Sequence, residues 1–197
     1  MSHHIYKTDA FVLGSSNIGE ANRYIDILTK DIGRIRAVAK SIREEKSKLR
    51  FSLQDFSVAH LSIVRGRDVW RVVGAEGKYN ICAEFSSRQF ERDIILRLAS
   101  LLRRLVAGEE KNRRLFGILI EAFSFLKKHE LKENELRDFE CLIVLRVLYN
   151  LGYLAKDVHT SSFIDSHTTT LNLIEGISPL RFEMIKKINA SLQETQL

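Results

Sequence analysis

The first 80 residues carry short apolar runs, two of them alternating apolar and polar positions with period two, and the spacing then switches to a helical period. Strand side chains point to opposite faces at every second residue, so the switch separates a β-rich part from an α-rich one. Residues 7–14, KTDAFVLG, form a short apolar run closed by Gly14, the first expected strand, and SSNIGEAN follows as a turn-rich connection. Tyr24, Ile25, Asp26, Ile27, Leu28 and Thr29 give a second strand, bounded by the KDIG turn. In the third, Arg34, Arg36, Val38 and Lys40 fall on one side and Ile35, Ala37 and Ala39 on the other. That pattern predicts a cationic outer face backed by a small apolar inner one. From Ser41 the chain reads as a charged loop. Residues 51–64 read as the fourth strand, with Phe56, Val58, His60, Ser62 and Val64 alternating against Ser57, Ala59, Leu61 and Ile63. After an RGRD turn, residues 69–75 return as a hairpin carrying Trp70, the only tryptophan. Strands this short and closely spaced predict a small closed barrel, and five of them make an OB-fold; an SH3-like barrel or a split sheet fits the same pattern.

Beyond residue 80 the apolar spacing is i, i+4, i+8. Phe90, Ile94, Ile95, Leu98, Leu101, Leu102 and Leu105 form one stripe, with Arg88, Glu91, Arg92 and Arg103 opposite, which predicts a helix over 85–106 ending near Gly108. A second helix is expected over 112–129, with Leu115, Leu119, Ala122, Phe123 and Leu126 inward. The third, 133–151, is apolar nearly all round and belongs in the middle of a bundle, with Gly152 as its stop. Ser178 and Pro179 mark the start of a closing helix to about residue 192, after a polar Ser/Thr-rich segment. The expected class is α+β: an OB-fold domain over residues 1–80 and an α-helical domain over 81–197.

Charge sharpens this picture. The chain carries 31 Lys and Arg against 25 Asp and Glu, but the excess is uneven: 14 against 9 in residues 1–80, and 17 against 16 afterwards. Within residues 33–50, Arg34, Arg36, Lys40, Arg43, Lys46, Lys48 and Arg50 face only Glu44 and Glu45. A basic strand feeding a basic loop is how ammonium and guanidinium groups are presented to a phosphate backbone, nucleic acid before a membrane surface. Arg65, Arg67 and Arg71 extend the track if the last hairpin lies beside the third strand. Tyr24 and Trp70 are the aromatics that could stack on bases, or else pack in the core.

Covalent chemistry finds little support. There is no GxxxxGK[ST] loop, GxGxxG fingerprint, GxSxG elbow or HExxH pair. Cys82 and Cys141 lie far apart without metal-ligand spacing, as expected in a reducing cytoplasm, and Cys141 sits on the helix expected to be most buried. Glu20 and Asp26 have no third ligand placed with them. His60 reads as a hydrogen-bonded strand histidine, His3 and His4 as a frayed end, and His159 and His167 as a pair without cysteines. The N-terminus has no apolar core of signal-peptide length, and Arg146 breaks the longest apolar run.

The ordered residues resemble a known family. Val12 and Leu13, Gly19 and Glu20, Leu28 and Thr29, Gly33, Ala39 and Lys40, Lys46 and Ser47, then Leu53, Gln54 and Phe56 are similar to the N-terminal domain of the bacterial recombination mediator RecO. Phe139, Glu140, Leu151, Gly152 and Tyr153 resemble that family's central helix. Two positions depart from it. Ser41 stands where the family usually has glycine, and residues 157–167 lack the four cysteines that hold zinc in many members. The resemblance implies a zinc-free, short member without cofactor or catalytic site, a DNA repair and recombination protein associated with the nucleoid. It implies binding of single- and double-stranded DNA, annealing of complementary strands and help in loading RecA, with RecR and the single-stranded-DNA-binding protein as partners. An RNA-binding OB module and a protein-only scaffold are the alternatives, and a hydrolase using Asp26 is the most distant one.

Overall fold

The computed structural model of the chain describes residues 4–166 and 168–194, so His3 and His167 lie outside the described residues. It contains five strands, β1 (Ile5–Ile18), β2 (Asn22–Thr29), β3 (Gly33–Ala39), β4 (Ser57–Arg65) and β5 (Trp70–Asn80). They close into a barrel in the order β1-β2-β3-β5-β4. The first strand makes closure possible. It runs on through Gly14, where an end is expected, because its register shifts between Val12 and Gly14. Its first half, Ile5 to Phe11, pairs with β4, and its second half, Ala10 to Ile18, pairs with β2. A bulge bends and twists a strand, so one chain segment serves both sides of the barrel.

The alternation in β3 appears as expected: Ile35, Ala37 and Ala39 are buried, Arg34 and Val38 are half-buried and Arg36 is exposed. The inward set joins Ala10, Val12, Ile25, Ile27, Ala59, Leu61 and Ile63 in one core. Residues 51–56 differ from the expected strand. A single helical turn, α1 (Leu49–Ser52), precedes β4, and Leu53 after it is completely buried in the barrel core with Ile42. Leu53 therefore closes one part of the barrel interior, and no sheet partner is needed for it.

β3 and β5 are parallel neighbours only over Ala37–Ala39 and Trp70–Val72. The remaining half of β3 is covered by residues 106–110. The Arg34 amide donates to the Gly108 carbonyl at 3.0 Å, and a Cβ added at Gly33 would lie 2.4 Å from the Glu110 carbonyl oxygen.

By Cα proximity the chain forms two compact units, one gathering residues up to Ser87 with Ile95–Arg113, the other Arg88–Ile94 with residues from Arg114 onward. Short α2 (Ile81–Glu84) follows the barrel, and α3 (Gln89–Leu105) is shared between the units. The stripe expected on α3 is partly displaced: Phe90 is 58% exposed, whereas Glu91 is buried and receives the Arg88 guanidinium at 2.8 Å. The helix begins at Gln89, so its first turn does not continue the periodicity that starts at Phe85.

In the second unit α5 (Glu133–Asn150) is central, buried at ten positions, with α6 (Ser161–Asp165), α7 (Leu171–Ile177) and α8 (Arg181–Glu194) against it. Helix α4 (Arg113–Lys128) buries the expected Leu115, Leu119, Ala122, Phe123 and Leu126. Pro179 lies in a 3-10 turn, Ser178–Leu180, joining α7 to α8, so the last helix starts slightly later than expected. The Ser/Thr-rich stretch is ordered by Arg146, which is 97% buried. Arg146 donates to the carbonyls of Phe163 (2.8 Å) and Thr168 (3.0 Å) and to the Thr169 hydroxyl (3.1 Å), and Thr169 donates to Glu121 (2.6 Å). A buried charge is tolerable when its donors are met in this way.

Candidate nucleic-acid interface

Strands β2 and β3 set the geometry of the cationic face. Their antiparallel register places Asp26 opposite Arg36 and Tyr24 opposite Val38. Tyr24 and Arg36 are therefore diagonal neighbours on one face, and the Arg36 guanidinium sits 4.2 Å from the centre of the Tyr24 ring. Arg36 also reaches the Ser16 hydroxyl at 3.4 Å. A guanidinium stacked on a tyrosine gives a flat, cationic platform, suited to a phosphate at its edge or a base on its face.

Arg34 is placed differently. Its Nε and Nη2 fork onto Asp26 at 2.9 and 2.8 Å, and Nη1 donates to the carbonyls of Arg103 and of Val106 (3.1 Å). Nη1 alone ties residues 103–106 to the barrel, while Nε and Nη2 are taken by Asp26, so the Arg34 charge is met within the fold. Asp26 accepts both bonds of the same fork.

Of the two readings of Trp70, the fold favours core packing. It is 5% exposed, belongs to the barrel core, and its indole N–H donates to Glu109 at 2.9 Å. Tyr6 meets it edge-on at 5.3 Å and the Arg65 guanidinium lies over it at 5.1 Å, so neither ring face is offered to a base. Arg65 also pairs with Glu109, which partly neutralises the end of the track.

Lys40, Arg43, Lys46, Lys48, Arg50 and Arg67 are exposed, and Arg71 is half-buried. Among the described residues no ion pair engages Arg36, Lys40, Lys46 or Lys48. Arg71 lies beside Val38 in the β3/β5 register, so the hairpin does run next to the third strand. Ser41 adopts φ 52°, a left-handed conformation that glycine takes without cost, and its amide donates to Asn22 at 2.9 Å. This turn aims the loop carrying Arg43 to Arg50.

Sequence reasoning passed over Arg23 and Arg103. Arg23 lies opposite Ala39 at the end of β2, and Arg103 lines a cleft of about 350 Å³ with Ser15, Tyr24 and Arg36. The β2/β3 register puts half-buried Arg23 on the side of Ala39, and only the fold brings Arg103 to the barrel.

Elsewhere, burial pushes the Cys141 thiol up to about 12, which makes it a packing residue. His60 lies 3.0 Å from Asp9, whose carboxyl Lys78 holds below its ordinary range. Among the described residues no group of three or more His, Cys, Asp or Glu could hold a metal, and no helix is long and apolar enough to cross a membrane.

These features define an α+β protein with an N-terminal OB barrel whose third strand and following loop are cationic. Residues 1–79 match the family model described as "Recombination protein O N terminal". The chain is 31% identical over 172 residues to the DNA repair protein RecO of Alkaliphilus metalliredigens (strain QYMF), covering 85% of this chain and 65% of that protein. It is 31% identical over 154 residues to the DNA repair protein RecO of Bifidobacterium adolescentis, 76% of this chain and 60% of the relative. A third similarity, to the DNA repair protein RecO of Dehalococcoides mccartyi (strain ATCC BAA-2266), is 38% over 73 residues, 37% of this chain and 29% of that one. The chain is thus similar to RecO proteins over most of its own length, and its N-terminal part matches the family model. It spans less than two thirds of the length of these relatives.

Proposed function

We propose that the protein is a DNA-binding mediator of repair and recombination that works without covalent catalysis. In this role it holds single- and double-stranded DNA by the phosphate backbone, anneals complementary strands and assists RecA loading, with RecR and the single-stranded-DNA-binding protein as partners. Its place is the bacterial cytoplasm, at the nucleoid. The observation that carries the proposal is the set of exposed, unneutralised cations Arg36, Lys40, Lys46 and Lys48 on β3 and its loop. An annealing protein must grip one strand and leave its bases free to pair. Backbone contacts carry no sequence information and leave the base edges open, so diffuse Lys and Arg contacts suit the task. Arg43, Arg50, Arg67 and Arg71 extend the cationic surface, and Tyr24 under Arg36 supplies a stacking platform. The OB domain is taken as residues 1–80 and the helical domain as 81–197.

The test is a titration of labelled single-stranded DNA from 50 to 200 mM salt with wild type and with Arg36, Lys40, Lys46 and Lys48 changed to Glu. Affinity should fall steeply with salt in wild type, and the log–log slope should flatten by about 0.7 for each phosphate contact removed. An unchanged affinity and slope in the variant would refute this interface.

A further inference from the structure

A second basic cleft, of about 420 Å³, opens on the barrel where β2, the turn after β3 and α1 meet. Its wall is Arg23, Arg43 and Arg50 with Gln54, its floor is the buried Ile42, and no carboxylate lines it. Arg43 and Arg50 lie seven residues apart after β3 and Arg23 comes from β2, so folding completes the cluster. Two of them are steered by neutral acceptors: Arg23 Nε donates to the Asn17 side chain at 3.1 Å, and Arg43 Nη1 donates to the Gly19 carbonyl at 3.0 Å. These contacts fix orientation and leave the charge in place. Three guanidiniums in one cleft repel each other, and a chain that also carries Glu44 and Glu45 beside Arg43 directs neither into it. Clustered positive charge of this kind favours an anion of high charge density.

We propose that this cleft takes a terminal phosphate monoester of a DNA strand. A monoester carries close to two negative charges and three acceptor oxygens, whereas each internal phosphodiester carries one charge. Planar guanidiniums bind such a group in bidentate fashion, and Gln54 adds an amide donor. The cleft is recessed and exceeds the volume of a phosphate, which leaves room for the terminal sugar. The proposal rests on the DNA-binding reading above and adds a preference for strand ends to it.

The experiment compares single-stranded oligonucleotides of one sequence carrying a 5′-phosphate, a 3′-phosphate or hydroxyls at both ends, by fluorescence anisotropy at fixed salt. A phosphate at one end should tighten binding about tenfold over the hydroxyl-ended strand, the worth of one charge-assisted hydrogen bond. In Arg23→Gln that ratio should collapse toward one, and Arg23→Lys should restore part of it. Equal affinity for all three strands, with the hydroxyl-ended strand still bound, overturns the end site and leaves DNA binding standing. Failure to bind any of the strands overturns both. Millimolar inorganic phosphate that displaces hydroxyl- and phosphate-ended strands equally overturns the strand-end assignment in favour of a free anion.

Discussion

Replacing Ser41 by glycine should stabilise the barrel unit, against the usual direction of a glycine substitution. Ser41 holds φ 52°, where the Cβ of an L-residue crowds the following carbonyl at a cost of about 1–2 kcal/mol. Glycine removes that cost and adds about 0.5–1 kcal/mol of unfolded-chain entropy, so the net gain is about 0.5–1 kcal/mol. The side chain is exposed, so no packing is lost, and the Ser41 amide keeps its 2.9 Å bond to Asn22 in either variant. In a domain of this size the gain corresponds to a rise of about 2–8 °C in Tm. Urea unfolding and thermal melts of wild type, Ser41→Gly and Ser41→Ala decide the matter. Alanine shares the strain and lacks the hydroxyl, so it should match serine or fall below it. Glycine and alanine raising stability equally, or glycine lowering it, would refute the left-handed assignment. The same reasoning explains why a glycine suits this position in the RecO pattern.

Two other outcomes follow from single residues. Gly33→Ala combines φ 97° with a Cβ placed 2.4 to 2.8 Å from Glu110 backbone atoms; it should cost about 2–5 kcal/mol in chemical denaturation, and a variant as stable as wild type would contradict the seating of residues 106–110. Asp157 is held at about 2, chiefly by Lys187 and further by the Thr160 amide, so its depressed folded value contributes stability above about pH 4 that is lost as pH falls toward 2. Asp157→Asn should be less stable than wild type at neutral pH and show a shallower loss between pH 4 and 2; parallel acid limbs would remove Asp157 from that role.

The strands were legible where a residue's own neighbours determine its side. β3 alternates cations with Ala37 and Ala39, and its exposure follows that alternation residue by residue. Other positions depend on distant partners. Trp70 packs in the barrel core with its N–H accepted by Glu109, 39 residues away, and Arg34 is engaged by Asp26 and by the carbonyls of Arg103 and Val106. Residues 51–56 carry strand-like residues, yet the turn α1 uses Leu53 to fill the barrel. α6 escaped notice because the Ser and Thr residues around it read as loop, while Arg146 on another helix bonds its Phe163 carbonyl. Arg23 and Arg103 belong to the same group, cations whose neighbours are set by the fold.

The seam between β3 and β5 has a consequence for quality control of the chain. Over the first half of β3 the backbone amide that a sheet partner would take is donated to Gly108 instead. Residues 106–110 thus act as a cover strip over a live sheet edge, and an uncovered edge is a template for another chain. Nicking or deleting that strip should lead the barrel to swap or aggregate before it unfolds. Limited proteolysis near Gly108 followed by light scattering would show the difference.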